Sequence, residues 1–167
     1  MTARRRGGSV QPVPLRVDLL RHGLATPADG AGDEARALAP EGVATATALG
    51  KRLGRLKWRP ERAYASPLRR ARETAAVVLS AAGVGLEAEI LSELAPECEL
   101  EDVAAALDTE LGDARHVLLV GHQPLLGQLA GYWTGNPMAL SPGEFLGVEL
   151  EAVLARRSGQ LVERIAF

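Results

Sequence analysis

The sequence predicts an α/β domain built on a sheet with a parallel core, and three observations carry that prediction. Short apolar runs bounded by Gly and Pro alternate with longer stretches of helical periodicity. Two of the runs, "LRVDLL" (15–20) and "HVLLVG" (116–121), read as buried strands, the second being the strongest in the chain. The chain has 167 residues, 47% of them hydrophobic, which suits one globular domain with a real core.

Taken in order, strand 15–20 lies between Pro14 and Gly23 and is followed by a polar loop, "ATPADGAGDEARALAP", rich in Gly, Pro and Asp. Ala46, Leu49, Leu53 and Leu56 recur at helical spacing over 41–56. "RAYAS" (62–66) is a short strand. Ser66-Pro67 then reads as a helix start, with Ser at the N-cap and Pro at the first helical position. That helix carries Leu68, Ala71, Ala75, Val78, Leu79 and Ala82 on one face and stops near Gly83. Residues 86–90 form a weak strand of edge type, and 99–111 a helix with Val103, Leu107 and Leu111 in register. Pro124 starts a further helix carrying Leu126, Leu129, Ala130 and Trp133. "FLGVEL" (145–150) and "LVERIAF" (161–167) read as a terminal hairpin across Ser158-Gly159. The domain is expected to span 15–167, and the stretch 1–14 reads as a flexible N-terminal arm.

Composition narrows the function. A formal net charge of −2 gives no global field for nucleic acid or an anionic membrane, so an anion site must be built locally. The single cysteine, Cys98, has no internal partner, which fits a reducing compartment and a cytoplasmic location. No apolar run has the length of a transmembrane helix. The first 14 residues begin basic but hold no apolar segment, so they do not read as a secretory signal.

The chemistry gathers at three junctions, each a strand end running into a loop or helix start. They are Arg21-His22-Gly23, Ser66-Pro67-Leu68-Arg69-Arg70 and Gly121-His122-Gln123-Pro124. Ligands of open parallel sheets bind outside the carboxyl ends of the strands, so these segments are expected to meet at one edge. They bring two histidines and several arginines without matching carboxylates. That mixture suits a tetrahedral dianion, above all phosphate: arginine offers a planar fork of donors, and helix N-termini add free N–H groups. Singly, each residue reads as structural or solvated; Gly23 and Gly121 permit either a turn or a close backbone approach. Together they predict an anion site, with no reaction specified.

"LLRHG", "SPLRRARETA" and "VGHQPLLG", in that order, resemble the signature segments of the histidine phosphatase superfamily. The length and the segment "DEARALAPEG" resemble its short phosphohistidine phosphatase branch, the SixA-like proteins. The likeness runs from about residue 16 to about residue 150. It implies a phosphoglycerate mutase-like fold: a three-layer α/β/α sandwich around a mostly parallel sheet, with an antiparallel C-terminal strand or hairpin. It also implies roles. His22 matches the nucleophile that takes the phosphoryl group, Arg21 and Arg70 match phosphate ligands, and His122 matches the second histidine, which binds phosphoryl oxygens. Arg36 matches a further arginine of the short branch, and Arg69 is left on the surface. Glu93, in "LSELAPECELED", is a candidate general acid, although the glycines that follow the family acid are absent; a solvated loop carboxylate is the competing reading.

The resemblance implies hydrolysis through a phosphohistidine, with no metal and no cofactor; the three junctions hold no HExxH, paired Cys or dense acidic cluster. A neutral imidazole attacks phosphorus, and neighbouring cations are expected to hold its pKa down. With one helix and a short return between Ser66 and Ile90, the site is expected to be open and shallow. An open site suits a phosphorylated protein side chain, as on a histidine-containing phosphotransfer domain, or a broad range of small phosphate esters. A phosphate-binding module without turnover is a third reading, disfavoured by the intact nucleophile and its partners. Trp58 and Trp133 read as packing residues and His116 as structural; Asp18 either points outward or caps a neighbour. Glu97 and Glu99 are expected to raise the Cys98 thiol pKa, so that cysteine is not expected to be reactive.

Overall fold

The structure is a computed structural model, and it describes residues 13–167. The arm expected over 1–14 therefore lies almost wholly outside the described residues. Six strands form one sheet: β1 (Leu15–Arg21), β2 (Arg62–Ala65), β3 (Glu89–Ile90), β4 (His116–Gly121), β5 (Phe145–Leu150) and β6 (Gly159–Ile165). Four helices join them: α1 (Pro40–Arg55), α2 (Arg69–Ala81), α3 (Leu100–Glu110) and α4 (Leu125–Thr134). The strand order is β3-β2-β4-β1-β5-β6; β3, β2, β4 and β1 run parallel, while β5 pairs antiparallel with both β1 and β6. β3 is a two-residue edge strand, shorter than the expected 86–90.

The three layers follow from the alternation of side chains along each central strand. Val17 and Leu19 of β1 and Val117 and Leu119 of β4 pack with Leu107 of α3 and Leu126, Leu129 and Trp133 of α4. Leu20, Leu118 and Val120 face the other way, onto Leu49 and Leu53 of α1 and Ala71, Ala75 and Val78 of α2. α1 and α2 approach closely at Gly50, where a Cβ would stand 2.6 Å from the Val78 carbonyl oxygen.

Two local expectations are corrected. α2 begins at Arg69 with Leu68 as its N-cap, and Ser66 lies ahead of the helix. The Ser66 hydroxyl accepts the Leu68 N–H at 3.3 Å but is also committed to the His122 ring, so it does not cap the helix. The C-terminal strands pair as expected, yet Gly159 is already in the ladder opposite Leu150 and the connection runs over 151–158. Glu151 N–H bonds the Ser158 carbonyl at 2.9 Å to close that loop.

Asp18 is neither outward-facing nor a cap. It is fully buried and accepts hydrogen bonds from Arg16 Nε at 2.8 Å and Trp58 Nε1 at 2.5 Å. His116 Nε2 lies 2.6 Å from the same carboxylate, so that histidine is structural as expected. Trp58 and Trp133 are both buried packing residues.

Candidate active site

The carboxyl ends of β1, β2 and β4 bring the three junctions together. Arg21, His22, Asp33, Arg36, Arg70 and His122 line one cleft of about 340 Å³. Leu24, Ala25, Pro96, Gln123 and Pro142 form the rest of its wall. Among the described residues, the chain from β2 to β3 holds a single helix, α2.

His22 follows β1, and its backbone is pinned on both sides. Its N–H donates to the Gly121 carbonyl at 3.0 Å, and its own carbonyl accepts from Gly143 at 3.1 Å. Gly23 does not use a positive φ; a Cβ there would meet the Leu38 side chain at 3.0 Å and the Gly42 carbonyl at 3.2 Å. The chain must therefore pass close to the start of α1, and glycine permits that. Gly23 N–H donates to Thr74 Oγ1 at 3.0 Å, which ties the turn to α2.

The His22 ring nitrogens can be assigned from their partners. His22 Nδ1 sits 2.7 Å from the Gly23 carbonyl, which can only accept, so the proton is on Nδ1 and Nε2 carries the lone pair. Arg70 Nε donates toward that Nε2 at 3.4 Å. The His22 and His122 ring centroids are 4.9 Å apart, close enough to touch one bound anion. His122 Nε2 lies 2.8 Å from Ser66 Oγ. The same oxygen accepts the Leu68 N–H at 3.3 Å, so Ser66 anchors the His122 ring to the start of the β2–α2 connection.

Both imidazoles are held in the free-base form. Burial is the main cause for His22, whose pKa is pushed down to about 4; Arg70, Arg21 and Arg36 add to the shift and the bond to Gly23 opposes it. His122 is pushed down to about 3, again by burial first and then by His22 and Arg70. The neighbouring arginines depress the His22 pKa as the sequence reading expects, but burial outweighs them.

The arginines differ in what they leave free. Arg21 donates to the Leu140 carbonyl at 2.7 Å, while its Nε is buried and finds no acceptor among the described residues. Arg70 is only 5% exposed. Arg69 points away, 57% exposed at its side chain, and pairs with Glu73 one turn on. Arg36 donates from Nε to the Thr26 carbonyl at 2.7 Å and pairs with Asp33 at 2.8 Å.

Glu93 stands apart. It is half-buried on the turn Ser92–Leu94 and does not line the cleft, although Pro96 of the same loop does. Cys98 is also outside, its thiol pKa raised by burial and then by Glu97, Asp102 and Glu93. Asp33 and Ser66 were not singled out for the site by sequence reasoning. The Asp33–Arg36 spacing could have suggested one helical turn, but nothing local in the sequence indicates that Ser66 meets His122.

Comparison with known proteins agrees with this geometry. Residues 17–101 match the model of the histidine phosphatase superfamily (branch 1). An uncharacterized protein of Picosynechococcus sp. is 34% identical over 147 residues, 87% of this chain and 86% of that one. The protein histidine phosphatase SixA, in a complex with tungstate, superposes with a TM-score of 0.81 at 27% identity, covering 91% of this chain and 97% of that one. A mycobacterial glucosyl-3-phosphoglycerate phosphatase shares the fold, with a TM-score of 0.65 at 21% identity over 89% of this chain and 97% of that one. With its two imidazoles and its arginines gathered at the strand ends, the chain belongs to the histidine phosphatase superfamily and is a phosphatase of the SixA-like branch.

Proposed function

We propose that this phosphatase transfers a phosphoryl group to His22 Nε2 and then to water, acting on phosphohistidine in a protein. The observation that carries the reading is the pair of fixed rings: His22 presents an unprotonated Nε2 beside His122 and beneath Arg70. In the first step a bond forms between Nε2 and phosphorus while the bond from phosphorus to the leaving nitrogen breaks. Arg21, Arg70, Arg36 and His122 surround the transferring oxygens and stabilise the charge spread over them. In the second step water attacks phosphorus, inorganic phosphate leaves and His22 is restored.

The carboxylates of the site point to the leaving group. Among the described residues, Asp33 is the only acid lining the cleft. Hydrogen bonds from Arg36 and then Arg70 hold its pKa below the usual carboxylate range, so it stays ionised and donates no proton. Glu93, the candidate general acid, lies outside the cleft lining. An alkoxide needs an acid to leave well. A phosphorylated imidazole does not, because once its other nitrogen takes a proton from water it leaves as a neutral ring. The likeness to a protein histidine phosphatase supports the same substrate class. The open wall of Leu24, Pro96 and Pro142 admits a side chain carried on another protein, such as a histidine-containing phosphotransfer domain. A reducing cytoplasm suits the unpaired Cys98.

The donor set is made of nitrogen cations and imidazoles; among the described residues no group of three or more His, Cys, Asp or Glu could hold a metal ion. The test is phosphate release from p-nitrophenyl phosphate with and without chelator, for the wild type and His22→Ala. Activity that survives chelator and is lost in the variant is expected; equal activity in both proteins overturns the assignment of His22. A comparison of kcat/KM for phosphohistidine proteins and small phosphate esters then separates the protein substrate from a broad phosphomonoesterase.

A further inference from the structure

Asp33 bridges the cleft's arginines from the loop above it. Its carbonyl accepts from Arg70 Nη1 at 2.8 Å and its Oδ2 from Arg70 Nη2 at 2.9 Å. Its Oδ1 accepts from Arg36 Nη1 at 2.8 Å. The whole outer edge of the Arg70 guanidinium, the edge that matches a phosphoryl group best, is thus engaged by one residue of the protein itself. The Asp33 side chain is 57% exposed, so this is an anion held at the mouth of the site rather than a buried structural carboxylate.

The loop around it is lightly tethered. Among the described residues, the only hydrogen bonds that tie segment 27–35 to the chain outside 26–36 are the two from Arg70 to Asp33. Gly30 and Gly32 lie just ahead of this point with φ of 81° and 89°, backbone states that glycine enters and leaves without steric cost. The cleft is the phosphate site on the reading above, and the inference rests on that reading. An incoming dianion then meets an edge already bound to a carboxylate.

We propose that Asp33 is an exchangeable anionic latch: it holds the outer edge of Arg70 between turnovers and yields it to the phosphoryl group. The bond exchange is even in number, since each guanidinium N–H given up by Asp33 is taken by a phosphoryl oxygen. The net gain on binding is therefore smaller than the count of arginines implies. Free phosphate is held weakly, and the return of Asp33 to Arg70 helps expel it as product.

Isothermal titration of inorganic phosphate into the wild type, Asp33→Asn and Asp33→Ala tests the latch without needing turnover. Exposure of the side chain makes both variants expected to fold, which circular dichroism checks. Phosphate should bind about tenfold more tightly to Asp33→Ala, the scale of one charge-assisted contact no longer displaced. A smaller gain is expected for Asp33→Asn, whose amide oxygen still accepts from Arg70. Equal or weaker binding in Asp33→Ala overturns the latch and makes Asp33 a support that merely positions Arg70. Absence of phosphate binding in all three proteins overturns the anion site of the proposed function, and the latch with it.

Discussion

Replacing Arg70 by Ala, with Arg69→Ala as its neighbour control, separates a group inside the site from one on the surface. Arg70 is 5% exposed and aims Nε at His22 Nε2 from 3.4 Å. Loss of one preorganised donor to a developing oxyanion costs about a hundredfold to a thousandfold in kcat, roughly 2.7–4 kcal/mol. The other Arg70 contacts go to Asp33, whose side chain is 57% exposed, so solvent screens that pair and its loss contributes little to folding. Activity should therefore collapse in a protein that still melts cooperatively. Arg69 offers only an exposed pair with Glu73, and its removal should change rate and stability within the small range of surface substitutions. The assay is steady-state hydrolysis of p-nitrophenyl phosphate, with thermal melts on the same samples. Because Arg70 also helps to depress the His22 pKa, the acid limb of the Arg70→Ala profile should move upward from the wild-type position. A larger loss in Arg69→Ala than in Arg70→Ala would refute the placement of the two arginines.

The remaining predictions concern pH, tautomer and the far end of the sheet. Wild-type kcat/KM should hold from neutrality down through the ordinary histidine range and fall only as pH approaches about 4, where His22 takes a proton; a limb near 6.5 contradicts the buried free base. Stability should show the linked effect: below about 6.5 the unfolded chain binds protons that the folded histidines refuse, so unfolding free energy declines as pH falls toward 4, read by denaturant titration. Ser66→Ala removes the hydroxyl that bonds His122 Nε2 and should lower kcat by roughly tenfold, the scale of a buried hydrogen bond left unmade, with little change in KM. Asp18→Ala strands Arg16, Trp58 and His116 around a missing carboxylate and should cost about 3 kcal/mol, on the order of 10 °C in Tm, with kcat on the folded protein unchanged.

What could be read in the sequence was what is local. The central strands announce themselves by apolar runs with Gly or Pro at their ends, and the residues at and just past those ends, Arg21, His22 and His122, are placed by the rule that such ends meet. Arg70 could be told from Arg69 only through the resemblance, and burial then separates them. Some local signals have two uses. Ser66 ahead of Pro67 has the form of a cap, but its hydroxyl is drawn to a ring 56 positions away. Contacts set by tertiary packing left no local mark at all. Asp33 reaches Arg70 across 37 positions, and Asp18 finds His116 across 98. Glu93 matched a short motif, yet the turn that carries it leaves it outside the cleft lining.

The central claim is a covalent one, and rapid-quench trapping tests it most directly. Wild-type protein mixed with a phosphohistidine substrate, quenched in base and digested, should yield a phosphorylated peptide containing His22, with the phosphoryl group on Nε2 and lost in acid. Phosphoryl transfer to any other residue, or undiminished turnover by His22→Ala, contradicts the account.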